Sequence, residues 1–496
     1  MNILGISAGF HDAAAAVIDH QGEILFAGHS ERYSKVKNDA HIHNDLLEDI
    51  NKHGPIGHVA YYEKPWKKQL RRLYSGEGVE WNRLTRSQIL LNELGRNKLN
   101  TVITKSSCYD HHLSHAAAGF QTSVFDRATI VVVDAIGEWD TISIWAAEYD
   151  NRGCARYRKL WNQRYPHSIG LFYSAITKQV GLKPNEDEYI LMGMSAYGYP
   201  GHTAALQDSL IANEWDASFT TNLHTGLDQE ELELIDNNDL AASAQRLLEL
   251  LVCNILRRAR NYNWSTNLVY MGGVALNCLA NRNLGEYFEN IWIMPNPGDA
   301  GSSLGAAALA YGRRVNWVNA YLGHNIPGPY PVTPILDALL SDGICGVASG
   351  RAEFGPRALG NRSLLADPRG PNIKDRVNEI KRRQKFRPFA PVILEEMADQ
   401  YFIFRNGWHN NRYMQSVAQC RYPSRFPAIC HVDGTSRVQT VPPDGSGIRE
   451  LLEKWFVLTD CPMLLNTSLN IKGEPMINDR SDADRFESKY GIQVFS

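Results

Sequence analysis

Residues 128–149 read ATIVVVDAIGEWDTISIWAAEY. A β-branched run, 128–133, ends at Asp134, and a polar stretch separates it from a second run that begins by alternating apolar and polar residues. Unbroken apolar runs of this length bounded by turn residues predict buried strands. Asn151-Arg152-Gly153 then supplies a turn, and residues 154–161 close a third strand. The chain's start has the same grammar. Residues 2–7, 13–19 and 23–28 read as three strands, the last two joined through Asp19-His20-Gln21-Gly22. Two strand–strand–strand units predict a duplicated α/β architecture. Each unit places a polar loop between its first two strands, GFHD at residues 9–12 and DAIGEWD at 134–140. Paired loops of that kind suit a nucleotide phosphate held across a cleft, although duplicated β-meanders also occur without one.

Further along, residues 239–262 carry apolar side chains at helical spacing. Residues 268–272 read as a strand entering MGGVALN, and 291–294 as a strand entering PNPGDAGSSLGAAALAYG. Small residues there allow backbone amides to approach an anion at a helix start, or else allow tight helix–sheet packing. Tyr321–Pro331 (YLGHNIPGPYP) has no period and many Gly and Pro residues, so a domain boundary is expected at 325/326, dividing 1–325 from a smaller α/β unit, 326–496. Residues 63–98 read as a basic helical excursion with Trp66, Tyr74 and Trp81, either a solvated face or an acceptor-binding surface.

Composition sets outer limits. The 496 residues carry 51 basic and 54 acidic side chains, a net charge of −3, with 44% hydrophobic and 21% charged residues. This is globular composition with ample material for large cores, and it lacks the basic excess of many nucleic-acid binders. Eight cysteines without a Cys-x-x-Cys pair read as reduced thiols in a cytoplasmic protein. No leader is read at the N-terminus, and no apolar run approaches the ~20 residues needed to span a bilayer.

Two stretches carry candidate chemistry. His111 and His115 in DHHLSHAAAGF stand four apart, which on a helix puts both imidazoles on one face, as in two-histidine metal sites; Asp299 is the candidate third ligand. Among 16 histidines such a pair also arises by chance. The C-terminal part concentrates Arg351, Arg357, Arg362 and Arg369, then Lys381, Arg382, Arg383, Lys385 and Arg387, then Asn466, Ser468 and Asn470. Guanidinium forks beside hydroxyl and amide donors suit a phosphate or carboxylate, against the alternative of a solvated charge run.

The strings HHLSHAAAGF, PHSIGLFYSAIT, GGVALN, PNPGDAGSSLGAA, GRAEFGPRALGNRS, RPFAPVILEE, HVDGTSRVQTV and LLNTSLNIKGEP together resemble the NodU/CmcH-type O-carbamoyltransferases, in the family's order and over nearly the whole chain. The resemblance implies an N-terminal actin-like ATPase (TsaD-like) domain and a C-terminal YrdC-like domain. It implies that carbamoyl phosphate and ATP, with Mg²⁺, give carbamoyl-adenylate in the YrdC-like domain, and that the other domain transfers the carbamoyl group to a hydroxyl. By this resemblance His111, His115 and Asp299 correspond to a site for Fe²⁺ or another divalent metal. Lys381, Arg383, Ser468 and Asn470 match the Lys-x-Arg and Ser-x-Asn pattern, and with Arg357 and Arg387 would bind carbamoyl phosphate and ATP. Asp134, Gly137 and Glu138 match the phosphate-loop segment, and Gly272, Gly273 and Asn277 the nucleotide loop. His11, Asp12 and Lys37 match the first-loop and following basic positions, and are the candidate catalytic residues, with His11 or Asp12 as general base. Ala135, Asp187 and Ile190 depart from the usual Gly, Gly and Lys, and the C-terminus is short for the family. A sugar or natural-product hydroxyl is the expected acceptor. A hydroxymethyl-pyrimidine nucleotide or DNA is the alternative, and a non-catalytic sensor of carbamoyl phosphate or nucleotide is the alternative of another class. An oligomer is compatible with the sequence, and no membrane partner is expected.

Overall fold

The computed structural model describes residues 1–95, 103–227, 232, 234–370, 372–405, 408 and 411–496. The end of the basic excursion, residues 96–98, lies outside the described residues. Two compact units are present. The first comprises residues 1–30 and 38–318, and the second comprises 31–37 and 319–496.

In the first unit, strands β1 (Asn2–Ser7), β2 (Ala14–Ile18), β3 (Ile24–His29), β4 (Ile56–Tyr61) and β5 (Lys105–Cys108) form a sheet ordered β3-β2-β1-β4-β5. The β1/β2 and β2/β3 pairs are antiparallel, and β1/β4 and β4/β5 are parallel. A second sheet uses β6 (Arg127–Gly137), β7 (Asp140–Tyr149) and β8 (Ala155–Arg164). After a short β9 (Ile211–Asn213)–β10 (Ser218–Phe219) hairpin, it is completed by β11 (Asn267–Met271) and β12 (Asn290–Trp292). Its order is β12-β11-β6-β7-β8, with β6/β7 and β7/β8 antiparallel and β11/β6 and β11/β12 parallel. The two sheets therefore share one topology, the duplication expected from the two strand triplets. Ile130–Val133 of β6 are fully buried, which is why that segment reads as a continuous apolar run.

The periodic segment near residue 240 is the helix Asn237–Asn261, and the excursion contains the helices Pro65–Tyr74 and Arg86–Leu94. The small-residue segment forms the helix Ser302–Tyr311, and the tight-packing alternative accounts for its composition. A Cβ on Gly305 would lie 1.9 Å from the Ser114 carbonyl, and one on Gly5 would lie 1.9 Å from the Ser303 carbonyl. Only glycine lets this helix approach both β1 and the helix His111–Thr122 so closely.

The second unit departs from the sequence expectation at its start. Residues 321–331 show no local period, yet β13 (Tyr321–Ile326) forms there by pairing with a strand further along the chain, a contact no local period reveals. The remaining strands are β14 (Ile344–Ala348), β15 (Gly350–Glu353), β16 (Arg362–Ala366), β17 (Ala390–Leu394), β18 (Phe402–Ile403), β19 (Ala418–Cys420), β20 (Thr435–Ser436), β21 (Gln439–Val441), β22 (Met463–Ser468) and β23 (Val494–Phe495). The partner of β13 is β15, and the main sheet runs β21-β17-β22-β16-β14-β23, beside a small β18-β19-β20 sheet. Alternate residues feed opposite faces. Cys345, Val347, Leu365, Val392 and Leu464 join one apolar cluster with the helices Val332–Ser341 and Gly447–Thr459. Ile344, Ala348, Leu364, Ile393 and Leu465 join the other. The segment 31–37 is part of this unit: Arg32 donates to the Gly355 carbonyl at 2.8 Å and Lys35 pairs with Asp482. No helix among the described residues is long and apolar enough to cross a membrane, and all eight cysteines are free.

Candidate active site

The helix His111–Thr122 puts His111 and His115 one turn apart on its buried face, as the spacing requires. Their Nε2 atoms lie 3.1 Å apart. Asp299 opens the short helical turn before Ser302–Tyr311, so the glycine-mediated approach of that helix brings its carboxylate in, with Oδ1 3.2 Å from His111 Nε2 and 3.3 Å from His115 Nε2. A fourth group joins them. Asp134 Oδ2 lies 3.3 Å from His111 Nε2 and 3.7 Å from His115 Nε2. One ligand atom from each of His111, His115, Asp134 and Asp299 lies within 4.8 Å of the others. Sequence resemblance assigned Asp134 to phosphate, whereas the geometry puts it among the metal-ligand candidates.

The electrostatics fit a cation. Burial opposes charge on both imidazoles, yet Asp299 and Asp134 hold His111 well above the usual imidazole range, and the same carboxylates raise His115. Burial likewise opposes charge on the two aspartates, and the imidazoles pull both well below the usual carboxylate range. Two buried carboxylates facing two nitrogens demand positive charge between them, from protons or from an ion. Two imidazoles with two carboxylates suit a borderline divalent metal such as Fe²⁺, Mn²⁺ or Zn²⁺.

The surroundings fix these ligands. Asp134 Oδ1 accepts from the Gly273 N–H at 3.0 Å, which leaves Oδ2 for the histidines. Gly272, at φ +93°, passes so close to β6 that a Cβ would meet the Val133 carbonyl at 2.2 Å. Asn277 caps the next helical turn and exchanges amide hydrogen bonds with Gln245 at 2.9 and 3.1 Å. Glu63 is buried just after β4, bound by the Lys68 ammonium at 2.8 Å, with its free oxygen 3.6 Å from His111 Nδ1. This is a carboxylate–histidine arrangement of the kind that orients metal ligands. The sequence reading missed Glu63. Its place after a parallel strand of a duplicated sheet, where sites of α/β folds collect, is the signal that points to it. His112 faces away: Nδ1 lies 2.7 Å from Ser143 Oγ, and burial lowers its pKa to about 3, so it is neutral.

Gly137 and Glu138 form the turn between β6 and β7. A Cβ on Gly137 would sit 2.6 Å from His111 Cδ2 and 2.5 Å from His112 Cδ2. Gly137→Ala is therefore expected to displace the histidine pair and to cost about 1–3 kcal/mol of stability; a thermal unfolding midpoint equal to that of the unmodified protein would contradict this. Burial raises the Glu138 carboxyl to about 7, against the Lys64 N–H that donates to it. His11 Nδ1 lies 3.1 Å from Asp12 Oδ2, and Asp12 has φ 52°. Burial lowers the His11 pKa, but the Asp12 bond with the Asp299, Asp12 and Asp134 charges outweighs it and raises the value to about 9. A base role for His11 thus requires that proton to leave first. Lys37 belongs to the second unit, on the 31–37 segment. Ala135 sits against Gly170, with its carbonyl accepting from Ser168 Oγ at 2.7 Å. Asp187 precedes the helix Glu188–Met194, and Ile190 is buried within it, an apolar wall in place of a lysine.

The second unit gathers its own cationic cluster. Lys381 is buried, and Nζ contacts the Ser468 carbonyl at 2.5 Å, Ser468 Oγ at 3.3 Å, the Asn470 carbonyl at 2.8 Å and Asn470 Oδ1 at 3.0 Å. The matched Lys-x-Arg and Ser-x-Asn strings thus meet in space. Burial, then Arg383 and Arg387, push the Lys381 pKa well below its usual value. Arg383 donates to Asn378 Oδ1 at 2.7 Å over the Phe389 ring, and Arg387 and Arg357 lie half-buried on loops. Other arginines of the basic strings hold the fold: Arg351 donates to the Leu322 carbonyl at 2.6 Å, Arg369 pairs with Asp367 at 2.8 Å, and Arg362 is wholly buried.

One unit thus carries a twice-repeated sheet with a buried two-histidine, two-aspartate cluster, and the other a buried lysine near arginines. Residues 62–308 match the carbamoyltransferase N-terminus and residues 336–496 the carbamoyltransferase C-terminus. An uncharacterized protein of Synechocystis sp. is 32% identical over 98% of this chain and 94% of its own length. Nodulation protein NolO of Bradyrhizobium diazoefficiens is 33% identical over 75% of each chain. Among solved structures, the activator of 2-hydroxyisocaproyl-CoA dehydratase from Clostridium difficile with bound ADPNP aligns with a TM-score of 0.36 and 15% identity, over 63% of this chain and 94% of that one. The chain belongs to the carbamoyltransferase family, which makes it a transferase acting with a carbamoyl donor and an acceptor.

Proposed function

We propose that this protein is an ATP-dependent O-carbamoyltransferase whose two half-reactions belong to its two units. The second unit, read as YrdC-like, makes carbamoyl-adenylate. Water hydrolyses carbamoyl phosphate to carbamate and inorganic phosphate, a carbamate oxygen then attacks the α-phosphorus of ATP, and pyrophosphate leaves; Mg²⁺ would neutralise the triphosphate. The observation that carries this reading is the convergence of Lys381 on Ser468 and Asn470 beside Arg383 and Arg387. Guanidinium groups held at fixed positions beside a buried lysine stabilise charge developing on phosphate oxygens.

The first unit, read as an actin-like ATPase fold of the TsaD kind, hosts transfer to the acceptor hydroxyl. His111, His115, Asp134 and Asp299 would hold a divalent ion there, which supplies Lewis acidity to a bound oxygen. Glu63 orients His111, the Gly273 N–H orients Asp134, and His11 with Asp12 places a proton-exchanging pair in the same charge field. Gly272 and Asn277 shape the loop at the end of β11 for a nucleotide. A cytoplasmic setting fits the reduced thiols.

The test is pyrophosphate release from ATP and carbamoyl phosphate, followed by mass spectrometry for a carbamoyl gain on hydroxyl acceptors. Release with transfer is the expected result. Nucleotide binding without release would point to a sensor.

A further inference from the structure

The helix Pro65–Tyr74 presents its apolar face to solvent and its polar face to the protein. Its sequence, PWKKQLRRLY, places Trp66, Leu70 and Leu73 at i, i+4 and i+7, with Tyr74 beside them, so these side chains share one face. An amphipathic helix ordinarily buries such a face. Here Trp66 and Leu70 are each 51% exposed, Leu73 61% and Tyr74 69%, whereas Lys68, Gln69 and Arg71 are buried. The inward face is held by polar partners. Lys68 Nζ donates to Glu63 at 2.8 Å, Gln69 Oε1 accepts from the Glu80 N–H at 2.8 Å, and Arg71 pairs with Glu77. Rotating the helix to hide its apolar face would strip Glu63 of its ammonium partner beside His111.

Trp81, next to the Glu80 that pairs with Arg72, adds a further side chain that is 73% exposed. Together with the helix stripe it exposes roughly 600 Å² of side-chain surface, as much as the largest patch on a typical monomer, and patches of that size mark interaction sites. Two copies face to face would bury on the order of 1,200 Å², the lower end of the range for specific interfaces. The stripe is also self-complementary. It runs about 12 Å from Trp66 to Tyr74, with an aromatic ring at each end and Leu70 in the middle, so two antiparallel copies match, as an interface on a two-fold axis requires. A helix lying on an anionic lipid surface displays its basic side chains beside its apolar face. In this helix Lys68 and Arg71 are turned inward instead.

We propose that this stripe is a homodimer interface, in which two copies of the chain pair antiparallel about a two-fold axis at Leu70, with Trp66 of one copy against Leu73 and Tyr74 of the other. The proposal is independent of the carbamoyl-transfer reading.

The test is sedimentation equilibrium of the full chain at micromolar concentration. The expected mass is twice that of the chain. Leu70→Glu sets two carboxylates against each other at the axis and is expected to weaken association by at least about a hundred-fold, and Leu70→Lys does the same with two ammonium groups. Both variants should keep the far-UV circular dichroism of the unmodified protein, because residue 70 already faces water in the single chain. Leu73→Glu, at a more exposed position, gives a second reading of the same loss. An equimolar mixture of Leu70→Glu and Leu70→Lys is expected to recover the doubled mass, since opposite charges then meet at the axis. A monomeric unmodified chain, glutamate variants that stay dimeric, or monomeric Leu70 variants that do not recover on mixing would overturn the proposal. Co-sedimentation of a monomeric chain with phosphatidylcholine–phosphatidylglycerol vesicles would assign the stripe to a lipid surface and overturn it equally.

Discussion

Asp134→Asn is expected to lower the first unit's affinity for a divalent ion by at least about a hundred-fold while leaving the fold intact. The two oxygens of Asp134 have different work. Oδ1 accepts the Gly273 N–H, and Oδ2 faces both histidine Nε2 atoms. An asparagine has one acceptor and one donor group at the same positions. If its oxygen stays on Gly273, its NH₂ points at the ion site and repels a cation. If it flips, the NH₂ meets the Gly273 N–H, and a donor faces a donor. Either way one of two tightly specified contacts fails, at almost no change in volume. Equilibrium dialysis with Fe²⁺ or Co²⁺ reads the effect directly, independent of turnover. The phosphate-loop assignment drawn from sequence resemblance makes the opposite forecast: undiminished ion binding and weaker nucleotide binding. That outcome would return Asp134 to the phosphate role.

Arg362→Met in the second unit should destabilise it by about 3–5 kcal/mol, the range for removing one partner from a buried charged network. The guanidinium is wholly buried and donates to five carbonyls: Asn478 and Ser349 at 3.0 Å, Gly350 at 3.2 Å, Asn361 at 2.9 Å and His324 at 3.0 Å. These oxygens come from β13, the junction of β14 with β15, the residue before β16 and the segment before the helix Arg480–Tyr490, so one side chain ties distant parts of the unit together. Burial, with the like charge of Arg32, draws its pKa down to about 10 despite the support of the nearby Glu353 carboxylate. Methionine fills similar volume but leaves the carbonyls without donors. A lysine has three donors on one atom and cannot span the same fork. Denaturant unfolding followed separately for each unit checks this, because a two-unit chain does not unfold as one transition. A loss below about 1 kcal/mol would mean that water replaces the guanidinium.

Arg362 also shows how far the sequence reaches. The basic strings of the C-terminal part mark a cationic region, but charge composition does not separate Lys381, which meets Ser468 and Asn470, from Arg362, Arg351 and Arg369, which bind backbone carbonyls and the Asp367 carboxylate. Likewise Glu63 carries no motif.

What the sequence by itself determined is what depends on neighbours along the chain. The β-branched run before Asp134 and its counterpart at the N-terminus specified the repeated sheet through strand periodicity. The four-residue step from His111 to His115 specified a shared helical face. The co-linear strings specified the family. What only the tertiary structure decided depends on contacts between distant segments: Asp134 and Asp299 converging on the histidine pair, the residues 31–37 folding with the second unit, and the pairing of β13 with β15. Close backbone approach at Gly5 and Gly305, and of the histidine rings at Gly137, makes the first of those convergences possible, and a missing Cβ announces nothing in a sequence until the atom it would have struck is in place.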